Sequence, residues 1–137
     1  QHNWTMYDFI RGTINHDPTY ISKELYEKYG LYDESLRIVS DWKWFVNAVI
    51  FGRESPVYTP IDVTIFDMTG ISETNLELRE AERLQELRKM LPERILSDYL
   101  ENYFYITQMR RIQRHKWAYY LVWFIERSLF KIEKLSR

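Results

Sequence analysis

The sequence predicts an α+β fold that is mainly helical, with a few short strands and an appended helical tail. Apolar residues recur at helical spacing over four stretches, which are 41–51, 75–91, 93–114 and 116–135. Strict alternation of apolar and polar residues, the pattern of a half-buried strand, is confined to short runs such as 61–66. The 137 residues include no cysteine, so the fold is expected to form without disulfide bonds or a thiolate zinc site.

The first thirty residues are expected to form two short helices joined by extended segments. One helix is expected to stop at Gly12, and a second is expected to run from a cap at Ser22 to a stop at Gly30. Residues 19–21 are β-branched and aromatic, which favours a short strand.

The stretch 38–52 is predicted to be the central buried helix, with Ser40 as its N-cap and Gly52 as its stop. Asp41 then lies in the first turn, where the helix dipole stabilises a carboxylate. A charged oxygen on a well-anchored helix suits a general base, but it is also an ordinary way to start a helix. The residues alone leave both interpretations open. The predicted buried face consists of Trp42, Phe45, Val46, Val49 and Ile50.

The rest of the chain is expected to be helical after one strand. A half-buried strand is predicted over 61–66, followed by a loop over 67–72. A capping-box pattern predicts that the next helix starts at about Asn75 and ends near Pro92. Its interleaved acids and bases are interpreted as a solvated face.

The charge of the chain is divided unevenly. Residues 105–137 hold eight basic and two acidic residues, a net charge of +6, which leaves −7 for the rest of a chain whose net charge is −1. Such a tail is expected to meet a membrane surface or the acidic body of the same chain, whereas nucleic acid is disfavoured because no reading motif is present. Its aromatic residues suit an interfacial helix, and the alternative is a core helix that packs on its neighbour or on a second copy in a homodimer.

The ends of the chain and its hydropathy predict a fragment without a membrane span. The chain begins at Gln1 without an apolar leader, so a fragment or a processed product is expected. No run approaches the roughly 20 apolar residues that span a bilayer. The expected location is cytoplasmic, with peripheral attachment at the inner face of the membrane as the alternative.

Four runs resemble a known family in their order and spacing. They are NHDPTYI (15–21), ELYEKYGLYDE (24–34), IVSDW (38–42) and FDMTGIS (66–72). Together they resemble the second half of bacterial family 2 glycosyltransferases, which have the GT-A fold and use nucleotide-sugar donors. The resemblance covers about residues 13–90. It implies that 1–91 form the acceptor-side half of a GT-A domain and that 92–137 are a C-terminal helical extension.

The resemblance assigns a catalytic role to Asp41. This residue matches the acid that acts in the family as general base on the acceptor hydroxyl, although relatives often have a second acid where this chain has Ser40. The implied function is a fragment of an inverting glycosyltransferase that transfers a sugar to a hydroxyl of a glycan or a lipid-linked acceptor. The alternative is a non-catalytic helical module for interaction or dimerisation.

Other positions are carried over as substrate-binding candidates. His16 matches a recurrent histidine that contacts the donor diphosphate, the metal or only a backbone carbonyl, and Asp17 departs from the glutamine that usually follows. Gly70 and Ser72 match a mobile loop that closes over the donor, for which a plain connection is the alternative. Trp44 lies off the predicted apolar face and is the candidate for stacking on an acceptor sugar.

The donor-binding half of the family has no counterpart in this chain. There is no Asp-x-Asp motif, which holds Mg or Mn in the family, and the three histidines are scattered in sequence. A divalent metal is therefore expected in a full-length parent, whereas the fragment alone is expected to bind none and to be inactive.

Overall fold

The computed structural model describes residues 3–61, 64 and 70–135, and within these residues all regular secondary structure is helical. The predicted α+β class is therefore wrong for the described part of the chain, which is all-α. The chain divides into two compact units, Gln1–Pro92 and Glu93–Arg137.

The predicted short strands are the source of the error. Residues 19–21 form no strand, because the chain turns just before them: the Thr19 amide and hydroxyl bond back to the carbonyls of His16 and Asn15, at 3.0 and 2.5 Å. A strand also needs a paired neighbour, and the described residues offer none. Most of the strand predicted over 61–66 lies outside the described residues.

The two N-terminal helices form where the sequence predicts them. Helix α1 (Met6–Arg11) ends at Gly12, whose N–H donates to the Asp8 carbonyl at 2.9 Å. Helix α2 (Lys23–Tyr29) ends at Gly30, which has φ 82°, a left-handed conformation that favours glycine.

The central helix consists of two parts. Helix α3 (Ser40–Phe45) continues directly into a π-helical segment (Val46–Phe51), which ends at Gly52 as predicted. The Tyr29 hydroxyl lies against this glycine, and a Cβ atom at Gly52 would lie 2.1 Å from the hydroxyl oxygen. The same Cβ atom would lie 2.6 Å from the backbone carbonyl oxygen of Ala48, which cannot swing aside as a side chain can, so this position favours glycine.

The core of the first unit forms around this central helix. Trp42 is almost fully buried, and its Nε1 donates to the Phe9 carbonyl at 2.8 Å, which joins α3 to α1. The predicted buried face is largely confirmed, although Val49 and Ile50 are only half-buried. The buried apolar residues of the unit are Met6, Tyr7, Phe9, Ile14, Val39, Trp42, Trp44, Phe45, Val46, Ala48 and Leu87.

Helices α4 (Ile71–Thr74) and α5 (Leu76–Met90) follow the undescribed residues. Helix α5 starts at the predicted place, but its cap is Asn75, whose Oδ1 accepts from the Leu78 N–H at 3.3 Å. The loop predicted over 67–72 is described only from Gly70, where it has become the start of α4.

Charged residues tie α5 to α3. The Glu86 carboxylate is 1% exposed and accepts from Lys43 Nζ at 2.8 Å, while the same Nζ lies 2.6 Å from Asp33. Lys89 also donates to Glu86. The predicted solvated face of α5 is therefore partly wrong, because this face is buried where it meets α3.

The pKa values reflect this network. Burial raises the pKa of Glu86, but the hydrogen bonds from Lys43 and Lys89 outweigh it, so the pKa falls below its ordinary value. The hydrogen bond from Lys43 is the main reason that the pKa of Asp33 is lowered. Burial lowers the pKa of Lys43, but its two carboxylate partners raise it overall. All three shifts favour the charged forms.

The second unit is a helical hairpin. Helix α6 (Glu93–Gln113) and helix α7 (Lys116–Leu135) are joined by a short turn and pack on each other. Both helices agree with the predicted ranges to within a residue. None of the described helices has the length and continuous hydrophobicity needed to cross a membrane.

We predict that Glu86→Gln lowers the free energy of unfolding by about 3 kcal/mol at neutral pH, because it removes one charge from a buried ion pair. The folded-state pKa of Glu86 is depressed, so its stabilisation is present above about pH 4.5, the ordinary value, and is lost as the pH falls through the lower folded pKa. Urea denaturation measured across acidic pH should therefore show a shallower pH slope in the variant. Glu77→Gln, an exposed change on the same helix, is the control, and equal losses in the two variants would contradict the prediction.

Candidate functional site

The backbone before α3 is fixed by a carboxylate from α5. Glu82 accepts hydrogen bonds from the backbone N–H groups of Arg37, Ile38 and Val39, at 2.9, 2.9 and 3.3 Å. A carboxylate at this end of a helix is also favoured by the helix dipole. The orientation of the first turn of α3 therefore depends on Glu82.

Ser40 is not the N-cap that the sequence predicts. The helix begins one residue earlier, with Val39 at the N-cap, and the Ser40 hydroxyl instead donates to the Asp33 carbonyl at 2.8 Å. Asp41 does lie in the first turn, as predicted. Its side chain is 21% exposed, so it is partly open to solvent.

Asp41 lies against His16. Its Oδ2 is 3.1 Å from His16 Nδ1, and His16 Nε2 is 3.1 Å from Asp17 Oδ1. The turn that holds His16 is closed by the hydrogen bonds from Thr19 to the carbonyls of His16 and Asn15. The imidazole is thus held between two carboxylates, and it restricts the rotation of the Asp41 side chain.

Asp41 and His16 open into a cleft of about 350 Å³. Ser72, at the start of α4, lies in its wall, so the cleft brings together three of the five predicted site residues. The complete lining consists of Arg11, Gly12, Thr13, Asn15, His16, Ile38, Val39, Asp41, Trp42, Ile71, Ser72, Arg79 and Arg83.

Three arginines make the cleft cationic. Arg79 Nη1 donates to the Ser72 carbonyl at 3.0 Å, which ties α5 to α4. Arg83 is buried, and its guanidinium lies 5.3 Å from the centre of the Trp42 ring. Arg11 also lines the cleft, so its lining contains three guanidinium groups and the single carboxylate of Asp41. Just outside the lining, the Glu80 carboxylate lies 3.2 Å from Arg79 Nε and 3.9 Å from Arg83 Nη1, and it offsets part of this positive charge. Guanidinium groups are the preferred partners of phosphate and carboxylate groups, so the cleft suits a ligand with an anionic part.

Trp44 and Gly70 do not line the cleft. Trp44 is 4% exposed, and its Nε1 donates to the Gly30 carbonyl at 2.8 Å. This placement does not support the prediction that Trp44 stacks on an acceptor sugar, because its ring faces are covered by other aromatic rings. Gly70 is exposed and precedes α4, where its carbonyl accepts from the Thr74 N–H at 3.2 Å. The rings that surround Trp44 belong to Tyr26, Tyr29, Tyr32 and Phe45.

The sequence interpretation missed the arginines of the cleft. The predicted solvated face of α5 includes Arg79 and Arg83, although they recur at the i, i+4 spacing that places residues on one side of a helix. Glu82 and Glu86 have the same spacing. A charged face with this periodicity that also includes Leu87 is a signal for a buried polar interface.

Other parts of the first unit offer weaker candidates. A cavity of about 450 Å³ lies beside Asn3, Trp4 and the loop after Gly52, but its carboxylate, Glu54, is engaged by Lys28 and Tyr29, each at 2.8 Å. Among the described residues, no group of three or more His, Asp or Glu side chains is arranged to hold a metal ion.

Comparison of the chain with family models, with curated proteins and with solved structures finds no match. The resemblance to family 2 glycosyltransferases therefore stays a prediction from the sequence. A function for the first unit must be argued from the cleft and its residues.

We predict that the cleft binds pyrophosphate. Titration followed by amide chemical shifts should perturb residues 11–16, 38–42 and 71–72, which surround the cleft. Arg79→Gln should weaken binding roughly tenfold or more, because a hydrogen bond to a charged group is lost. The control is Arg88→Gln, since Arg88 is exposed on the same helix but lies outside the cleft lining. Equal dissociation constants for the two variants would exclude Arg79 from the binding site.

Proposed function

We propose that the first unit forms the acceptor-side part of an inverting glycosyltransferase, which transfers a sugar from a nucleotide-sugar donor to a hydroxyl of a glycan or lipid-linked acceptor. The observation that carries the proposal is the Asp41 carboxylate, partly exposed in the cleft and held 3.1 Å from His16. The proposed chemistry is that of the family that the sequence resembles. The all-α fold of the described residues is not an argument for the proposal.

The proposed reaction needs a general base, and we assign this role to Asp41. The acceptor hydroxyl oxygen attacks the anomeric carbon of the donor sugar and forms the new glycosidic bond. Its proton passes to the Asp41 carboxylate, while the bond from the anomeric carbon to the nucleotide diphosphate breaks and the diphosphate leaves with the electron pair. His16 is a positioning residue in this scheme, because it contacts Asp41 and fixes the direction of the carboxylate.

The arginines of the cleft fit a reaction with an anionic leaving group. A guanidinium that hydrogen-bonds to phosphate oxygens stabilises the negative charge that develops as the diphosphate departs. Arg79 is partly exposed and is held beside the start of α4 by its bond to the Ser72 carbonyl, while its Nε lies 3.2 Å from the exposed Glu80 carboxylate. Ser72 therefore contributes through its carbonyl, which positions this arginine.

A divalent metal and a cytoplasmic location belong to the proposal for a full-length parent. Mg or Mn would neutralise the donor diphosphate there, but the described residues do not provide a fitting set of ligands. No step is therefore assigned to a metal on this chain. Nucleotide sugars are made in the cytoplasm, which is the reason for the proposed location.

The alternative function, a non-catalytic helical module, is favoured by a different observation. Many large apolar side chains of α7 are exposed, as expected of a surface that meets a partner. This observation concerns the second unit only, so it is compatible with a catalytic first unit. The nature of that partner is the subject of the inference below.

We predict that Asp41→Asn, in the full-length protein that carries this chain, lowers kcat by about 10² to 10⁴-fold with little change in KM for the donor. An amide keeps the size of the side chain but cannot accept the proton. Transfer is measured with a panel of labelled nucleotide sugars and separated acceptors. Asp98→Asn is the control, because Asp98 is exposed on α6.

Two results would overturn the proposal. One is retained turnover in the Asp41→Asn protein with intact donor binding. The other is the absence of transfer by the unaltered full-length protein across the whole panel, which would favour the non-catalytic module.

A further inference from the structure

The basic residues of α7 form a single stripe. Lys116, Arg127, Lys131 and Lys134 fall within an arc of about 60° when successive residues are separated by 100° around the helix axis. All four side chains are exposed. The stripe lies about half a turn around the helix from Ala118 and Val122, which are among the less exposed residues of α7. A cationic stripe of this kind is therefore presented to the surroundings.

Exposed aromatic side chains flank the basic stripe on both sides. Trp117 is 73% exposed and Phe124 65% exposed on one side, while Phe130 is 67% exposed on the other. The guanidinium of Arg127 lies 4.9 Å from the centre of the Trp123 ring, so the stripe and its aromatic flanks form one continuous surface. Two exposed aliphatic side chains, Leu121 and Ile132, lie next to the Trp117 flank, whereas Ile125 and Leu129 lie on the far side of the helix with Ala118 and Val122.

We propose that α7 docks on the surface of an anionic lipid bilayer, with its axis in the plane of the membrane. Lysine and arginine side chains extend toward lipid phosphates, while the aromatic and aliphatic residues beside them reach the boundary of the acyl chains. The inference is independent of the proposed function, because it concerns residues of the second unit alone.

The positive charge of the hairpin favours an anionic lipid surface over a second copy of the chain as the partner of α7. Besides the basic stripe, α6 carries Arg110 and Arg111 close to the turn, and Arg114 lies in the turn itself. A second copy of the chain that met this surface about a two-fold axis would bring two basic stripes together, which is unfavourable. An anionic lipid surface instead attracts the stripe. Each basic residue near such a surface contributes about 1 kcal/mol to binding, which raises partitioning roughly fivefold.

The apolar part of the surface favours lipid over nucleic acid. Single-stranded nucleic acid covers aromatic rings by stacking, but it offers nothing comparable to exposed aliphatic side chains such as Leu121 and Ile132. The acyl boundary of a bilayer covers both kinds of side chain. Since no described helix can cross a membrane, the contact is one of surface attachment.

Vesicle flotation with the full chain tests the proposal. Vesicles of phosphatidylcholine alone are compared with vesicles in which phosphatidylglycerol replaces part of it. The chain should bind to the anionic vesicles and be partly released by salt, because salt screens the attraction. The triple variant Arg127→Gln, Lys131→Gln, Lys134→Gln should lower partitioning roughly one hundredfold.

A charge-matched variant controls for net charge. Lys23→Gln, Arg37→Gln, Arg88→Gln removes three exposed basic residues from the first unit, so its net charge equals that of the first triple variant. It should keep nearly all of the binding. A further variant, Phe124→Ser, Phe130→Ser, should weaken the binding that remains at high salt, and circular dichroism verifies that each variant stays helical.

Three outcomes would overturn the proposal. If the two charge variants lost vesicle binding equally, the binding would depend on net charge alone and not on the stripe of α7. A stable dimer in sedimentation, broken by Phe124→Ser, Phe130→Ser, would make a second copy the occupant. Binding of a single-stranded oligonucleotide without vesicle binding would make nucleic acid the occupant.

Discussion

The hydrogen bonds between the Glu82 carboxylate and three successive backbone N–H groups hold the first unit in its arrangement. A partly buried carboxylate that accepts several N–H groups is well satisfied, and its removal would leave donors without partners at the start of the central helix. One turn further along α5, Glu86 receives Lys43 and so fixes the second turn of α3. Two acids of one helix therefore determine both the position and the direction of another. The cleft lies beside this contact, and its geometry depends on it.

The same contact explains why Asp41 is presented to the cleft. A carboxylate in the first turn of a helix commonly serves the helix itself, by bonding its unpaired N–H groups. Here the anion at that end of α3 comes from α5, and the Asp41 side chain instead reaches His16 on a different segment. The interpretation of Asp41 as an ordinary helix-starting residue thus loses part of its physical reason. The general-base interpretation remains a proposal, which the cleft and its arginines support.

The sequence predicted what local signals determine. Gly12, Gly30 and Gly52 end helices as expected, and the ranges of α5, α6 and α7 were close, because caps, stops and periodicity act over a few residues. The strand at 19–21 failed because β-propensity has meaning only where a neighbouring strand exists. The prediction for Trp44 failed for a related reason: the tyrosines that cover its ring belong to α2 and to the residues just after it, which no periodicity within α3 reveals. Three of the predicted site residues meet in the cleft. The arginines of the cleft could be predicted only from knowledge of which face of α5 is buried.

Burial of a charged face on α5 and exposure of an apolar face on α7 have a common physical basis. The charged side chains of α5 can be buried because their partners lie within reach, as the bonds from Lys43 to Glu86 and Asp33 show. The large apolar side chains of α7 can stay exposed in water only at a cost in free energy of about 25 cal/mol per Å². A helix that keeps such side chains beside a basic stripe gains stability from an environment that is both apolar and anionic, and the surface of a lipid bilayer provides the two together.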